Sequence, residues 1–312
     1  MVLLLQVKTF FSHKRKKLLK DDLAGYLFIS PWIIGFLFFM AYPMILSLYY
    51  SLTNYNLFSP PIWIGLQNYI EIIKNDPKFL NSLKVTLMYV AASIPLRLVF
   101  ALVLALLFYK ASKMIDFYRA VYYIPSILGG SVAIAVIWRE LFGYYGALNN
   151  ILMASGLMEQ RFSWVGNPNT ALLTLIALAV WQFGSPMIIF LAGLKAIPVS
   201  LYESASIDGA GWWHKFYRIT LPMLTPVIFF NLVMQIIRLF LIFTRAYIIT
   251  GGGPISKTEV YALYLFREGI RYHRFGYASA LGWILLIVIA IITFIIFKTS
   301  NRWVYYETKG EL

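Results

Sequence analysis

Six long apolar stretches constrain this chain more than any other feature of its sequence. A helix rises 1.5 Å per residue, so about 20 apolar residues are needed to cross a hydrocarbon core of about 30 Å. Charged residues make up only 13% of the 312 residues, against about 25% in soluble proteins. The apolar stretches are residues 25–48, 85–109, 121–142, 171–194, 223–249 and 278–297. We therefore expect an all-α integral membrane protein with six transmembrane helices.

The basic residues indicate how these helices are oriented. The chain has 27 Lys and Arg against 13 Asp and Glu, a net charge of +14, and Lys and Arg accumulate in cytoplasmic loops. With a cytoplasmic N-terminus, 15 of the 27 basic residues fall on the cytoplasmic side and 8 on the outer side. We predict a cytoplasmic basic segment over residues 1–24, one membrane domain over 25–297 and a cytoplasmic tail over 298–312.

The sequence lacks the motifs of nucleotide hydrolysis and of hydrolytic catalysis. There is no G-x-x-x-x-G-K-[ST] phosphate loop, no G-x-S-x-G and no H-E-x-x-H. The absence of cysteine excludes a thiolate metal site and a Cys nucleophile. We expect no catalytic residue, metal or cofactor in this chain, so any nucleotide hydrolysis must occur on another chain.

The loop between the fourth and fifth spans, residues 195–222, has an unusual pattern. Ser200 followed by Glu203 is a capping-box pattern, which predicts that a short helix starts there. Gly209 and Gly211 permit the turn that ends it. A second short helix, rich in aromatic residues, is expected to lead into Pro222. From the residues alone, the loop suits either a shelf on which a partner docks or an interfacial helix whose Trp side chains rest among lipid headgroups.

The same loop resembles the coupling motif of ATP-binding-cassette (ABC) importer permeases. The run 203–205 (Glu-Ser-Ala) with 208–210 (Asp-Gly-Ala), then Phe216, Ile219 and Leu221-Pro222, is similar to their EAA motif, with Ser204 in place of the usual first Ala. Other stretches resemble the maltose-type sugar permeases. They are Ser30-Pro31-Trp32, Tyr42-Pro43, Tyr118-Arg119 with Pro125, Gly251-Gly252-Gly253-Pro254, and Gly276-Tyr277-Ala278. The resemblance covers nearly the whole chain and implies the fold of a type I ABC importer permease.

What this resemblance implies is a heteromeric importer in the bacterial cytoplasmic (inner) membrane, with both termini of this chain in the cytoplasm. The implied partners are a second homologous permease, two cytoplasmic ATPase subunits that carry ATP and Mg, an extracytoplasmic solute-binding protein, a saccharide and membrane lipid. Nucleic acid is not expected, because the positive-inside rule explains the basic excess. The residues implied to contact the ATPase are Glu203, Ser204, Ala205, Asp208, Gly209 and Ala210.

Polar residues follow one face of the fifth predicted span. Asn231, Gln235, Arg238 and Arg245 stand at steps of four, three and seven. A central Arg in hydrocarbon costs about 2.5–3.5 kcal/mol, so such a face should line protein or a water-filled cavity. We predict that it lines the translocation path. Further candidates for contacts with the sugar, all from the fourth span, are Trp181, Gln182 and Ser185.

Two arginines in a span without a carboxylate favour an anionic cargo, because Arg binds carboxylates through two parallel hydrogen bonds. We predict an acidic oligosaccharide, such as a uronate-containing fragment of alginate or pectin. A neutral oligosaccharide is the alternative. Arg238 could instead pair with the partner permease, Arg245 could extend to the interface, and Arg97, beside Pro95, is expected to be structural.

A different class of protein, the self-contained secondary transporter, is a further alternative. Such a protein should contain carboxylates within the membrane for coupling to protons or cations. The predicted spans lack them, except Glu140 at the edge of the third span.

Overall fold

In the residues that the structure describes, the regular secondary structure is helical apart from one small hairpin. The computed structural model describes residues 25–109 and 113–305, so the predicted basic segment 1–24 and residues 306–312 of the predicted tail lie outside the described residues. Two short strands, β1 (Thr53–Asn54) and β2 (Ile62–Trp63), pair antiparallel. The helices are α1 (Gly25–Ser51), α2 (Gln67–Asn75), α3 (Pro77–Leu107), α4 (Lys113–Leu128), α5 (Val132–Leu141), α6 (Ala147–Ala154), α7 (Ala171–Trp181), α8 (Gly184–Ala196), α9 (Val199–Ile207), α10 (Trp212–Phe240), α11 (Thr244–Ile249), α12 (Tyr261–Phe266) and α13 (Phe275–Trp303).

Four of these helices, α1, α3, α10 and α13, are long and apolar enough to cross a membrane as single rods. Two further spans are bent pairs: α4 and α5 meet at 96°, and α7 and α8 meet at 41°. The expected six spans are therefore obtained when each bent pair counts as one span. The predicted tail begins inside a helix, because α13 continues to Trp303.

Besides the bend between α7 and α8, two predicted spans are interrupted where the sequence suggested continuous helices. The predicted span 121–142 breaks at Gly129, where an added Cβ would lie 2.4 Å from the side chain of Gln182. The predicted span 223–249 breaks after Phe240, and the backbone of Phe243 leaves the helical region with φ −131°. Apolar composition does not reveal either break, because both depend on contacts with other helices.

Helix α3 is the centre of the molecule. It packs against α7, α8, α10 and α12, and its buried side chains include Tyr89, Ile94 and Ala101. By contrast, α1 packs mainly on α13, and the most apolar part of α1 has no buried residue. Most of the surface of α1 is therefore available to lipid or to another subunit.

The contact between α1 and α13 depends on Gly276, which lies in the first turn of α13. Its N–H donates to the carbonyl of Tyr55 at 2.9 Å. A Cβ at Gly276 would lie 2.1 Å from the carbonyl oxygen of Thr53 and 3.0 Å from that of Tyr50. The backbones approach so closely that only glycine fits.

Asp76 holds three helices together at the end of the molecule opposite to residues 195–222. One carboxylate oxygen caps α3, accepting from the N–H groups of Lys78 at 2.9 Å and Phe79 at 3.1 Å. The other accepts from the hydroxyls of Tyr264 at 2.5 Å and Tyr277 at 2.6 Å. Partial burial raises the pKa of Asp76, but these four hydrogen bonds outweigh it and hold the pKa below its ordinary value of 3.8.

We expect Asp76→Asn to lower the free energy of unfolding at neutral pH. A carboxyl whose pKa is depressed by folding stabilises the protein above its unfolded-state pKa, and this contribution is lost as the pH falls through the folded-state value. The difference between the variant and the wild type should therefore shrink below pH 3.8. Denaturant unfolding of the detergent-solubilised protein from pH 7 downwards measures it. Asp116→Asn, at an exposed carboxylate paired with Arg119, is the control; an equal loss for Asp76→Asn at every pH would contradict the prediction.

Candidate functional site

The loop between the fourth and fifth spans forms a short helix closed by a tight turn. Helix α9 begins after Pro198, and no side chain caps it, so the predicted capping box of Ser200 and Glu203 is wrong. Proline sets the backbone angle at the helix start, and Ser200 therefore lies inside the first turn. At the other end, Gly209 adopts φ +74° and Ala210 donates its N–H to Ala205 at 2.8 Å. This is the glycine-terminated turn that the sequence predicted.

Two side-chain hydrogen bonds attach α9 to the start of α10. Lys215 Nζ donates to Ser206 Oγ at 2.7 Å, and the hydroxyls of Tyr202 and Thr220 are 2.9 Å apart. The predicted second short helix is not a separate element, because Trp212–Lys215 continues through a π-helical turn into Leu221–Phe240. Pro222 does not interrupt it, since proline is tolerated in the first turn of the regular helix.

The residues predicted to contact an ATPase form an accessible surface on this loop. Glu203, Ser204, Asp208 and Gly209 are exposed, whereas Ala205 and Ala210 are half-buried. The sequence did not single out Ile207, an apolar side chain that is 87% exposed at the end of α9. Trp212 and Trp213 are also largely exposed. The surface can serve both a docked partner through α9 and the headgroup layer through the Trp side chains.

The polar stripe is divided between two helices. Asn231 and Gln235 are buried on α10, and Arg238 is exposed near the end of that helix. Arg245 is half-buried on the separate helix α11, so the prediction of one continuous helical face is wrong for this residue. The break at residues 241–243 separates Arg238 from Arg245.

The interior near this stripe is rich in positive charge. Arg97 on α3 is buried and interacts electrostatically with Arg245 and Arg238. In the described part of the chain, no carboxylate forms an ion pair with any of these three arginines. Both polar atoms of the Asn231 side chain and the Gln235 carbonyl oxygen are buried without a hydrogen-bond partner. Such atoms are rare in folded proteins, and water or a ligand commonly completes them.

Gln182 joins the breaks in the two bent spans. Its side-chain Nε2 donates to the backbone carbonyl of Gly129 at 2.6 Å. Its backbone carbonyl accepts from Ser126 Oγ at 2.9 Å and from the guanidinium of Arg97. The Gln182 side chain therefore stabilises the fold, and its contact with sugar hydroxyls stays a prediction. The backbone N–H of Ser185 also donates to Ser126 Oγ, at 3.0 Å, and the Ser185 hydroxyl stays a predicted contact.

Trp181 lies in a wall of an apolar cavity of about 1030 Å³. Its ring stands 5.7 Å from that of Trp138, and none of the described residues that line the cavity is charged. These walls suit hydrocarbon better than the hydroxyl groups of a saccharide. A role of Trp181 as an aromatic platform for a sugar ring stays a prediction.

Comparison with known sequences gives consistent matches over most of the chain. Residues 72–305 match the family described as binding-protein-dependent transport system inner membrane component. YesP of Bacillus subtilis, a probable ABC transporter permease protein, is 53% identical over 300 residues, which cover 96% of this chain and 97% of YesP. AraP of the same organism, the arabinooligosaccharides transport system permease protein, is 35% identical over 92% of this chain and 90% of its own.

Two solved structures share the fold. A chain of a bacterial ABC transporter involved in the import of the acidic polysaccharide alginate superposes with a TM-score of 0.78 at 26% identity, over 92% of this chain and 98% of that one. The bacterial alginate ABC transporter in complex with an alginate pentasaccharide-bound periplasmic protein gives a TM-score of 0.77 at 25% identity, over 92% and 96%. This chain therefore shares its overall fold with chains of these two transporters.

Proposed function

This chain belongs to the family of binding-protein-dependent transport system inner membrane components, as a membrane-spanning permease subunit of an ABC sugar importer, and we propose that its cargo is an acidic oligosaccharide. Permeases of this family lack an ATPase site of their own, and ATP is hydrolysed on partner subunits. The proposed cargo contains uronate, as fragments of alginate or pectin do. A neutral oligosaccharide is the alternative, in keeping with the arabinooligosaccharide system to which AraP belongs.

The observation that carries the proposal is a group of three arginines, the buried Arg97, the half-buried Arg245 and the exposed Arg238, with no carboxylate partner among the described residues. Like charges in a medium of low dielectric repel one another, and an interior Arg is normally paired. A uronate brings a carboxylate on each sugar residue, which a guanidinium binds through two charge-assisted hydrogen bonds. Arg238 and Arg245 supply such groups beside the uncompensated amides of Asn231 and Gln235. The structural likeness to a permease of an alginate importer supports the same class of cargo.

The proposed importer contains further subunits besides this chain. A solute-binding protein delivers the saccharide, in line with the alginate transporter solved with such a protein. A second, homologous permease and two cytoplasmic ATPase subunits, which bind ATP and Mg, form the rest of the complex. The exposed surface of α9 docks on an ATPase subunit, and both termini of the chain lie in the cytoplasm.

Trigalacturonate and its methyl ester test the cargo, because they have the same length and differ in charge. In the reconstituted complex with its solute-binding protein, we expect the acid to stimulate ATP hydrolysis. Arg238→Gln or Arg245→Gln should raise its half-saturating concentration about 10-fold, since a hydrogen bond to a charged group contributes about 1.5–3 kcal/mol. Arg161→Gln is the control, because Arg161 is exposed and stacks on Tyr145 in an outer loop. Stimulation by the ester alone would refute an acidic cargo.

A further inference from the structure

A second polar face, on α3, points into the same interior as the polar stripe. Tyr89, Ser93 and Arg97 stand at steps of four, so they lie on one side of the helix. All three are buried. Within the described residues, the Ser93 hydroxyl and Nε of Arg97 have no hydrogen-bond partner, and the Tyr89 hydroxyl makes no hydrogen bond of normal geometry, although it lies beside Ser93 and Arg245.

The helix that carries Asn231 and Gln235 lies next to α3. Helices α3 and α10 are in direct contact, and both residues on α10 have buried polar atoms without partners. Such an atom is unfavourable in the interior if nothing binds it. A fold that keeps donors and acceptors on two facing helices in this state is built to receive a polar ligand between them.

The charge in this region selects the kind of ligand. The Arg97 guanidinium uses one nitrogen to hold the carbonyl of Gln182, which leaves Nε unpartnered. Arg97 and Tyr89 both interact electrostatically with Arg245, which approaches from α11. Since no carboxylate of the described residues is paired with either arginine, an anion bound near both would relieve their mutual repulsion.

We infer that the α3 face is part of the binding site, in which Arg97 together with Arg245 binds a carboxylate of the cargo and the hydroxyls of Tyr89 and Ser93 bind its polar oxygens. This inference rests on the proposed function and assigns Arg97 a role in binding, beyond the structural role expected from its place beside Pro95. The ligand is one uronate residue of an oligosaccharide. Asn231 and Gln235 face it from α10 and bind its hydroxyl groups.

Arg97→Gln in the reconstituted complex tests the inference with trigalacturonate and its methyl ester. We expect the half-saturating concentration of trigalacturonate to rise about 10-fold or more, with little change in the maximal rate of ATP hydrolysis. The response to the ester should stay at the wild-type level. Tyr89→Phe removes one oxygen atom and no charge, so it should produce a smaller change, about 2- to 10-fold, in the same acid-selective direction.

Ser126→Ala is the matched control, because the Ser126 hydroxyl holds the same carbonyl of Gln182 at 2.9 Å. If Arg97 only stabilised the helix breaks, Arg97→Gln and Ser126→Ala would both change the maximal rate of ATP hydrolysis with either ligand. That result would overturn the inference. If Arg97→Gln does not assemble into the complex, Tyr89→Phe and Arg97→Lys test the inference instead. An unchanged half-saturating concentration of trigalacturonate in both of these variants would overturn the inference. If only the ester stimulates ATP hydrolysis by the wild-type complex, the proposed cargo is refuted. If trigalacturonate stimulates hydrolysis but substitutions at residues 89 and 97 do not change this response, only the present inference is refuted.

Discussion

Gly276→Ala is expected to prevent recovery of the folded permease. The new Cβ would lie 2.1 Å from the carbonyl oxygen of Thr53 and 3.0 Å from that of Tyr50. These are backbone atoms, which cannot rotate away, so α13 and the end of α1 must move apart and lose the hydrogen bond from Gly276 to Tyr55. Overpacking costs about 1–3 kcal/mol where side chains can adjust. Here we expect a loss at or above the upper end of that range, because α1 makes few other contacts.

Gly282→Ala on the same helix is the matched control for this prediction. The nearest atom to its new Cβ is Cδ1 of Leu265 at 3.8 Å, an ordinary van der Waals contact. The yield of monodisperse protein in fluorescence-detected size-exclusion chromatography and the melting temperature measure both variants. Recovery of Gly276→Ala with the melting temperature of the wild type would show that the close approach of the backbones is not required.

Glu203→Lys is expected to abolish cargo-stimulated ATP hydrolysis while leaving the permease folded. The side chain is exposed on α9, so the substitution removes no buried contact of the fold. In the proposed complex the charge lies in an interface with the ATPase, where disrupting a paired charge typically costs about 2–5 kcal/mol. We expect at least a 10-fold loss of the stimulated rate, with an unchanged melting temperature of the isolated permease.

Ser200→Lys introduces the same positive charge at an exposed position of the same helix, outside the predicted contact residues. It should retain most of the stimulated rate. Ile207→Asp should reproduce the loss, because the exposed Ile207 side chain is then replaced by a charge at the proposed interface. A complex of Glu203→Lys that is as active as the wild type would contradict the docking of α9 on the ATPase.

The sequence predicted the structure of the loop over residues 195–222 only in part. The turn at Gly209 was predicted correctly, because a glycine after a short helix favours the left-handed conformation on local grounds. The capping box was wrong, since Ser200 and Glu203 have the right spacing but Pro198 starts the helix earlier. Two local rules competed, and spacing alone does not say which one prevails.

The membrane spans were predicted from their apolar composition, whereas their breaks were not. The break at Gly129 is fixed by Gln182, a residue more than fifty positions further along the chain. The break after Phe240 separates Arg245 from Asn231 and Gln235. Composition within a window reports that a segment enters the membrane, but the path within the membrane depends on which distant residues the helix meets.

The candidate site shows the same limit. The stripe on α10 was visible because amides and arginines are rare in a span. The face on α3 has an equally regular spacing of four, yet Tyr89 and Ser93 resemble ordinary packing residues in a chain with 22 Tyr. Only the absence of hydrogen-bond partners in the described structure distinguishes them.

The unbroken course of α10 has a mechanical consequence. Trp212 and Gln235 belong to one rod, and at 1.5 Å per residue they are about 35 Å apart. The Trp212 end of the rod is fastened to α9 by the hydrogen bonds of Lys215 and Thr220. A tilt of the rod by about 10° therefore displaces Gln235 by about 6 Å, a distance as wide as a sugar. Because the rod has no flexible joint, a small rotation on one side of the bilayer produces this displacement in its middle.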